Sequence, residues 1–167
     1  MATDQIQEQF LELIQENAGI IHKVCHLYCH SAHNRQDLFQ EILAQLWKAF
    51  PRFRNESKIS TWMYRIALNT AISDFRKQQR SIITVNGLPD ESMDVQEHNM
   101  QEQKERLALL QQALTRLSDI EKAIIMLYLE EKNYQEMEEV LGISQANLRV
   151  KMTRIKEKLR RHTEQVQ

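Results

Sequence analysis

Residues 134–159 read YQEMEEVLGISQANLRVKMTRIKEKL, and this stretch decides the fold. Tyr134, Met137, Val140 and Leu141 recur at helical spacing and predict a short helix. Gly142 follows where a helix ends in a left-handed residue. Ser144 then opens a second helix as its N-cap, and Leu148, Met152, Ile155 and Leu159 run along one inner face. Helix, short turn with Gly, helix is the helix-turn-helix pattern. Residues 144–161 hold Arg149, Lys151, Arg154, Lys156, Lys158, Arg160 and Arg161 against Glu157, a net +6. On the second helix of such a motif the first turns approach base edges in the major groove, and the cations neutralise phosphates. Gln145 and Asn147 lie near its N-terminus, and Arg149 and Lys151 fall off the apolar stripe.

The flanking chain is also helical in pattern. Leu107, Leu110, Leu114 and Leu117 mark one helix, and Ser118 with Glu121 is a capping-box signature for the next. Ile120, Ile124, Leu127 and Tyr128 form that helix's apolar face. Far upstream, Phe10, Leu13, Ile14, Ile20, Ile21 and Val24 recur helically. Leu38, Phe39, Ile42, Leu43, Leu46, Trp47 and Phe50 make a wide amphipathic face that Pro51 terminates. After a loop to about Lys58, Ser57 or Ser60 caps a helix that turns Trp62, Ile66, Ala67, Ala71 and Phe75 inward. Between the halves, residues 86–105 carry a net −5 and contain Gly87 and Pro89. The expected architecture is all-α. Two small helical domains, 5–80 and 105–162, are joined by an acidic linker over 81–104.

Composition narrows the function. The 167 residues hold 22 Lys and Arg against 23 Asp and Glu, so no basic pull on nucleic acid shows in the total. Only 3 Gly and 2 Pro argue against turn-rich sandwiches and barrels. Gly19, Gly87 and Gly142 stand too far apart for a phosphate loop or a dinucleotide fingerprint. With 2 Cys there is no disulfide framework and no four-Cys zinc site. The longest apolar run is seven residues, Ala123 to Leu129, too short to span a membrane. The N-terminus has no secretory signal pattern, so a reducing cytoplasm is expected. No nucleophile with its base and no paired catalytic carboxylates stand out, so no enzymatic role and no cofactor are expected.

A second basic stretch, 47–80, also carries a net +6. Phe53 sits between Arg52 and Arg54, and Trp62 and Tyr64 lie beside Arg65 and Asn69. Aromatic faces next to cations suit unstacked bases of single-stranded nucleic acid, although the 62, 66 spacing also suits a core position for Trp62.

These residues carry a resemblance. Asp37-Leu38-Phe39-Gln40-Glu41, Leu46-Trp47, Phe53-Arg54 and the run Ser60 to Asn69 resemble region 2 of bacterial RNA polymerase sigma factors. Leu117 to Glu121, Tyr134 to Met137, Leu141 to Ser144 and Leu148 to Arg154 resemble region 4. Two such regions joined by a short acidic linker resemble the extracytoplasmic-function (ECF) sigma factors. The resemblance implies a protein that binds core polymerase, recognises promoters and helps melt them. Asp37, Leu38, Gln40, Glu41 and Trp47 would meet the clamp coiled coil of the polymerase, and the flap would be a further contact. Arg52, Arg54, Lys58, Ser60, Thr61, Trp62, Tyr64, Arg65 and Asn69 would lie along the melted minus-10 strand, with Arg76, Lys77 and Arg80 on phosphates. Ser144, Gln145, Asn147, Arg149, Lys151, Arg154 and Lys158 would read the minus-35 duplex. An anti-sigma factor is an expected partner. The chain departs from the family pattern at Ser73, where an Asp is frequent, and at Glu138, where a small residue is common.

His22, Cys25, His26, Cys29, His30 and His33 crowd one segment. The i, i+4 spacing makes His22, Cys25, His26 and Cys29 candidate zinc or copper ligands, against which stands the rule that Cys packs as a small buried apolar residue. The alternatives to a sigma factor are a stand-alone helix-turn-helix regulator, a helical interaction protein that binds no DNA, and, with least support, a nucleic-acid enzyme.

Overall fold

The computed structural model describes residues 2–82 and 101–165. They form α1 (Ala2–Tyr28), α2 (Ala32–Ala49), a 3-10 turn (Phe50–Arg52), α3 (Ile59–Ile82), α4 (Gln101–Thr115), α5 (Asp119–Leu129), α6 (Tyr134–Leu141) and α7 (Gln145–Gln165). The described residues contain no strand. The chain divides into two compact units, Met1–Glu91 and Ser92–Gln167. The expected linker 81–104 falls mostly outside the described residues.

In the N-terminal unit α1, α2 and α3 pack pairwise against one another. Ile21 and Val24 of α1, Ile42 and Leu46 of α2, and Met63 and Leu68 of α3 are wholly buried between them. Ala67 and Ala71 let the α3 backbone come close to its neighbours. The side chain of Ser31 accepts the Asn34 N–H at 3.1 Å and caps α2. The Arg35 guanidinium donates to the carbonyls of His30 at 2.6 Å and Cys29 at 3.4 Å, tying down the α1–α2 connection. Pro51 ends α2 as expected, within the 3-10 turn. Helix α3 opens at Ile59, so Ser60 lies inside its first turn instead of capping it, and the Lys58 carbonyl accepts the Trp62 N–H.

In the C-terminal unit α7 is the common partner of α4, α5 and α6. The Ser118–Glu121 capping box is present, and a second one joins Asn133 and Glu136 at the start of α6. Residues 122–127 are buried in succession, so α5 is covered on every side. Its C-terminal end rises out of that packing: Tyr128, expected on the inner face, is 43% exposed, and Leu129 is exposed beside it. Leu110 is likewise exposed and Ala113 takes the inward place on α4, while Leu117 is buried beyond the helix end.

Helix α5 ends in paired hydrogen bonds, Lys132 N–H to Leu127 O and Glu131 N–H to Tyr128 O, both 3.0 Å. The residue between the helix and Lys132 must be left-handed, and Glu131 has φ 56°. A side chain there is strained, whereas glycine is not. Glu131→Gly is expected to raise the stability of this unit by about 0.5–1 kcal/mol after glycine's greater unfolded-state entropy is counted. Urea denaturation followed by helical circular dichroism checks it.

Candidate nucleic-acid interface

The turn between α6 and α7 is built as the motif requires. Gly142 adopts φ 67°, ψ 22°, and its N–H donates to the Glu138 carbonyl at 2.8 Å. The left-handed residue turns the chain so that Ser144 can open α7. Its Oγ accepts from the Asn147 N–H at 3.4 Å and its carbonyl from the Leu148 N–H at 2.9 Å. Leu148, Met152 and Ile155 are buried at 0%, 2% and 0%, and Leu159 is half-buried. That stripe fixes the roll of α7. Asn147, Arg149 and Arg154 are therefore exposed, and Lys151 is half-buried at the edge.

Two interactions reach α7 from α6. Gln145 Nε2 donates to Glu138 Oε2 at 3.0 Å, and the Arg149 guanidinium lies 4.8 Å from the centre of the Tyr134 ring. Lys158 stands apart from the other candidates on α7. Its Nζ is 2.6 Å from Glu121 Oε1, so this cation joins α7 to the start of α5. Burial pushes the Glu121 carboxyl up, but the Lys158 ammonium and the Ser118 N–H and hydroxyl pull it down further, leaving it below its ordinary value. Lys156 likewise faces α5, 4.7 Å over the Tyr128 ring.

In the N-terminal unit the candidates separate into two sets. Arg52, Arg54 and Lys58 are exposed on the loop before α3, where Asn55 takes φ 57°. Arg65, Asn69, Arg76 and Arg80 are exposed along α3, and their spacing places all four within one narrow stripe of the helix. Ser60 is half-buried, and exposed Lys77 lies off that stripe.

Thr61, Trp62 and Tyr64 form the second set, at 1%, 8% and 2% exposure: Trp62 takes the core position its spacing allowed, and Thr61 and Tyr64 correct the expectation of surface contacts. Thr61 to Tyr64 are buried in succession between half-buried Ser60 and exposed Arg65, and the indole of Trp62 packs on Phe53 at 4.7 Å and Phe50 at 6.5 Å between ring centres. Trp62 thus holds the loop that bears Arg52 and Arg54.

On α2, Asp37, Gln40 and Glu41 are exposed, while Leu38 is 3% exposed and belongs to the core, which removes it from the surface candidates. Asp37 and Glu41 line a polar groove of about 600 Å³ between α2 and α3, with Asp74 and Lys77 opposite. Gln40 and Trp47 line an apolar groove of about 490 Å³ between α1 and α2. Ser73, the departure noted in the sequence, lines the polar groove.

The proposed ligand cluster diverges. Cys25 and Cys29 turn inward at 1% and 6% exposure, while His22 and His26 are exposed and the His22 ring packs on Phe39. Among the described residues no three His, Cys, Asp or Glu side chains converge on a metal position. Burial raises both thiols from 9.0 to about 11, helped by Cys29 at Cys25 and by Asp74 at Cys29, and opposed by Arg35. The protonated thiols therefore support the fold fully below pH 9, and that support is lost as pH rises through 11. Alkylation at pH 8 is expected to be about a hundredfold slower in the native protein than in urea, from thiolate fraction alone. Mass spectrometry of timed quenches reads it.

The sigma-70 region 2 family model matches residues 13–81, and the sigma-70 region 4 model matches residues 107–159. The chain is 26% identical over 166 residues to the ECF RNA polymerase sigma factor SigW of Bacillus subtilis, covering 93% of this chain and 89% of that protein. It is also 26% identical over 164 residues to the RNA polymerase sigma factor YlaC of the same organism, with 95% and 92% coverage. Among solved structures, the sigma factor RpoE in complex with the anti-sigma factor NepR, from Bartonella quintana, has the same fold. Its TM-score is 0.68 at 18% identity, over 96% of this chain and 97% of that one.

Proposed function

This chain belongs to the sigma-70 family of RNA polymerase sigma factors, in its extracytoplasmic-function group, and from that premise we propose how its two units divide the work of promoter recognition. As a sigma factor it binds core RNA polymerase and directs it to promoters. The observation that carries this function is the ordered pair of region 2 and region 4 on two separately folded units. A stand-alone regulator is not favoured, because it needs no region 2.

The C-terminal unit, 105–162, grips the minus-35 element as duplex. Ser144, Gln145, Asn147, Arg149, Lys151 and Arg154 supply the contacts, and the burial of Leu148, Met152 and Ile155 supports this roll of α7. The N-terminal unit, 5–80, engages the opened minus-10 strand. Arg52, Arg54 and Lys58 follow phosphates on the loop, and Arg65, Asn69, Arg76 and Arg80 extend the track along α3. Asp37, Gln40, Glu41 and Trp47 on α2 meet the polymerase clamp. Bond making belongs to the polymerase, so this chain needs no catalytic group of its own. It acts in the cytoplasm, where the polymerase is, and no helix among the described residues is long and apolar enough to cross a membrane. An anti-sigma factor restrains it, a reading supported by the fold shared with a sigma factor solved in such a complex.

Run-off transcription with purified core enzyme tests the function. Specific transcripts that weaken steeply with added salt are expected. Absence of transcripts and of polymerase binding, with duplex still bound, would overturn it in favour of the regulator.

A further inference from the structure

Helices α6 and α7 meet through two rungs in register. Tyr134 and Glu138 stand one turn apart on α6, and Gln145 and Arg149 stand one turn apart on α7. Glu138 accepts from Gln145 at 3.0 Å, and Tyr134 lies under the Arg149 guanidinium at 4.8 Å. All but Arg149 are half-buried. Both α7 residues belong to the helix proposed to read duplex, so what grips them from α6 governs what they show to a base.

The chemistry of the first rung is one-directional. A carboxylate only accepts, so the amide nitrogen of Gln145, and not its oxygen, must face Glu138. That fixes which way round the amide sits. The nitrogen carries two hydrogens and Glu138 takes one. The remaining N–H and Oε1 form a donor–acceptor fork, the pattern that pairs with N7 and N6 of adenine in the major groove. The second rung holds the guanidinium by its flat face and leaves its edge donors for a base or phosphate. Glu138 stands where the family resemblance leads one to expect a small residue, and its charge disfavours nearby phosphates. The hydrogen bond to Gln145 gives that carboxylate a role that a small residue cannot fill.

We propose that Glu138 is a positioning residue for base choice: it presents the amide of Gln145, alongside the Tyr134-held Arg149, as a fork selective for one adenine of the minus-35 element. The proposal rests on the sigma-factor reading of α7 and adds a residue outside the recognition helix that sets its specificity.

The test uses the full chain with core polymerase on promoters in which each minus-35 base pair is varied singly. The wild type is expected to prefer adenine about tenfold at one position. Gln145→Ala loses that preference at that position alone. Glu138→Ala does the same, and the double variant loses no more than either single one, because both act through one contact. Glu138→Gln, whose amide still accepts but can also donate and so lets Gln145 sit either way round, falls between the wild type and alanine. Glu138→Met, of similar size but without an acceptor, behaves as alanine does and guards against a cavity effect. Removing the charge also strengthens binding to unrelated duplex in every neutral variant alike, so the base preference at the one position, and not the overall affinity, reads the positioning role. The positioning role is overturned if Glu138 variants keep the preference that Gln145→Ala loses, if they weaken all positions alike, or if Gln145→Ala changes none. Failure of the wild type to drive any selective transcript is a separate result, which overturns the sigma reading and this inference with it.

Discussion

Trp62→Ala is expected to destabilise the N-terminal unit by about 3–5 kcal/mol. Trp62 is a link in a chain of five aromatic rings. It touches Phe53 and Phe50, Phe50 lies 5.4 Å from Phe10, and Phe10 meets Trp47 edge-on at 5.0 Å. Truncation leaves a cavity the size of an indole and removes the support of the loop bearing Arg52 and Arg54. A small domain has about 5–15 kcal/mol in total, so much of the unit is expected to unfold on modest warming. Urea denaturation, read through the fluorescence of Trp47, gives the loss directly. Trp62→Phe keeps an aromatic body in the site and should recover more than half of it. Full stability of Trp62→Ala, with promoter opening alone abolished, would show instead that the indole is a base contact.

The second large effect is on binding rather than folding. Arg149→Ala combined with Lys151→Ala is expected to reduce minus-35-dependent transcription by about a hundredfold, at about 1–3 kcal/mol for each lost base or phosphate contact. The slope of log affinity against log salt should fall by about 2, one for each cation removed. Stability should change by less than about 1 kcal/mol, since neither residue is in the core and, among the described residues, what is lost is the stacking of exposed Arg149 on Tyr134. Electrophoretic mobility shifts across a salt series, beside thermal unfolding of the same variant, separate the two quantities. An unchanged salt slope would remove this face of α7 from the interface.

The two substitutions differ because their residues sit on opposite sides of the same kind of element. On α7 the three partner helices bury one narrow apolar stripe, Leu148, Met152 and Ile155, and the residues beside it follow from periodicity. Helix α3 packs against both α1 and α2. Its first turns lose their polar side, and Thr61 to Tyr64 are all buried. A helix with two partners does not announce its second buried face by spacing alone, and this is why Tyr64 read as a surface aromatic beside Arg65, whereas the 62, 66 spacing already set Trp62 on the inward face and left open whether it also met a strand. Leu38 is the converse case: its place on the apolar face of α2 was legible, and only the resemblance set it among surface contacts. The Asn133–Glu136 box carries the same signal as Ser118–Glu121 and was equally open to reading.

Lys158 and Glu138 show the remaining limit. The sequence places Lys158 among seven cations, and its partner Glu121 lies 37 residues away. Glu138 stands out only as a departure from a family pattern, until the turn at Gly142 brings it against Gln145 seven residues on. The amino-acid sequence by itself determined the helices, most of their caps and the Gly142 turn, because each depends on residues within a turn or two of one another, and the two-part plan and the family, because those local motifs recur in a fixed order along the chain. Only the tertiary structure decided which aromatic rings are buried, that Lys158 is spent on an ion pair with Glu121 and that Gln145 is held by Glu138. Those depend on what packs opposite, and helix periodicity carries no record of the partner.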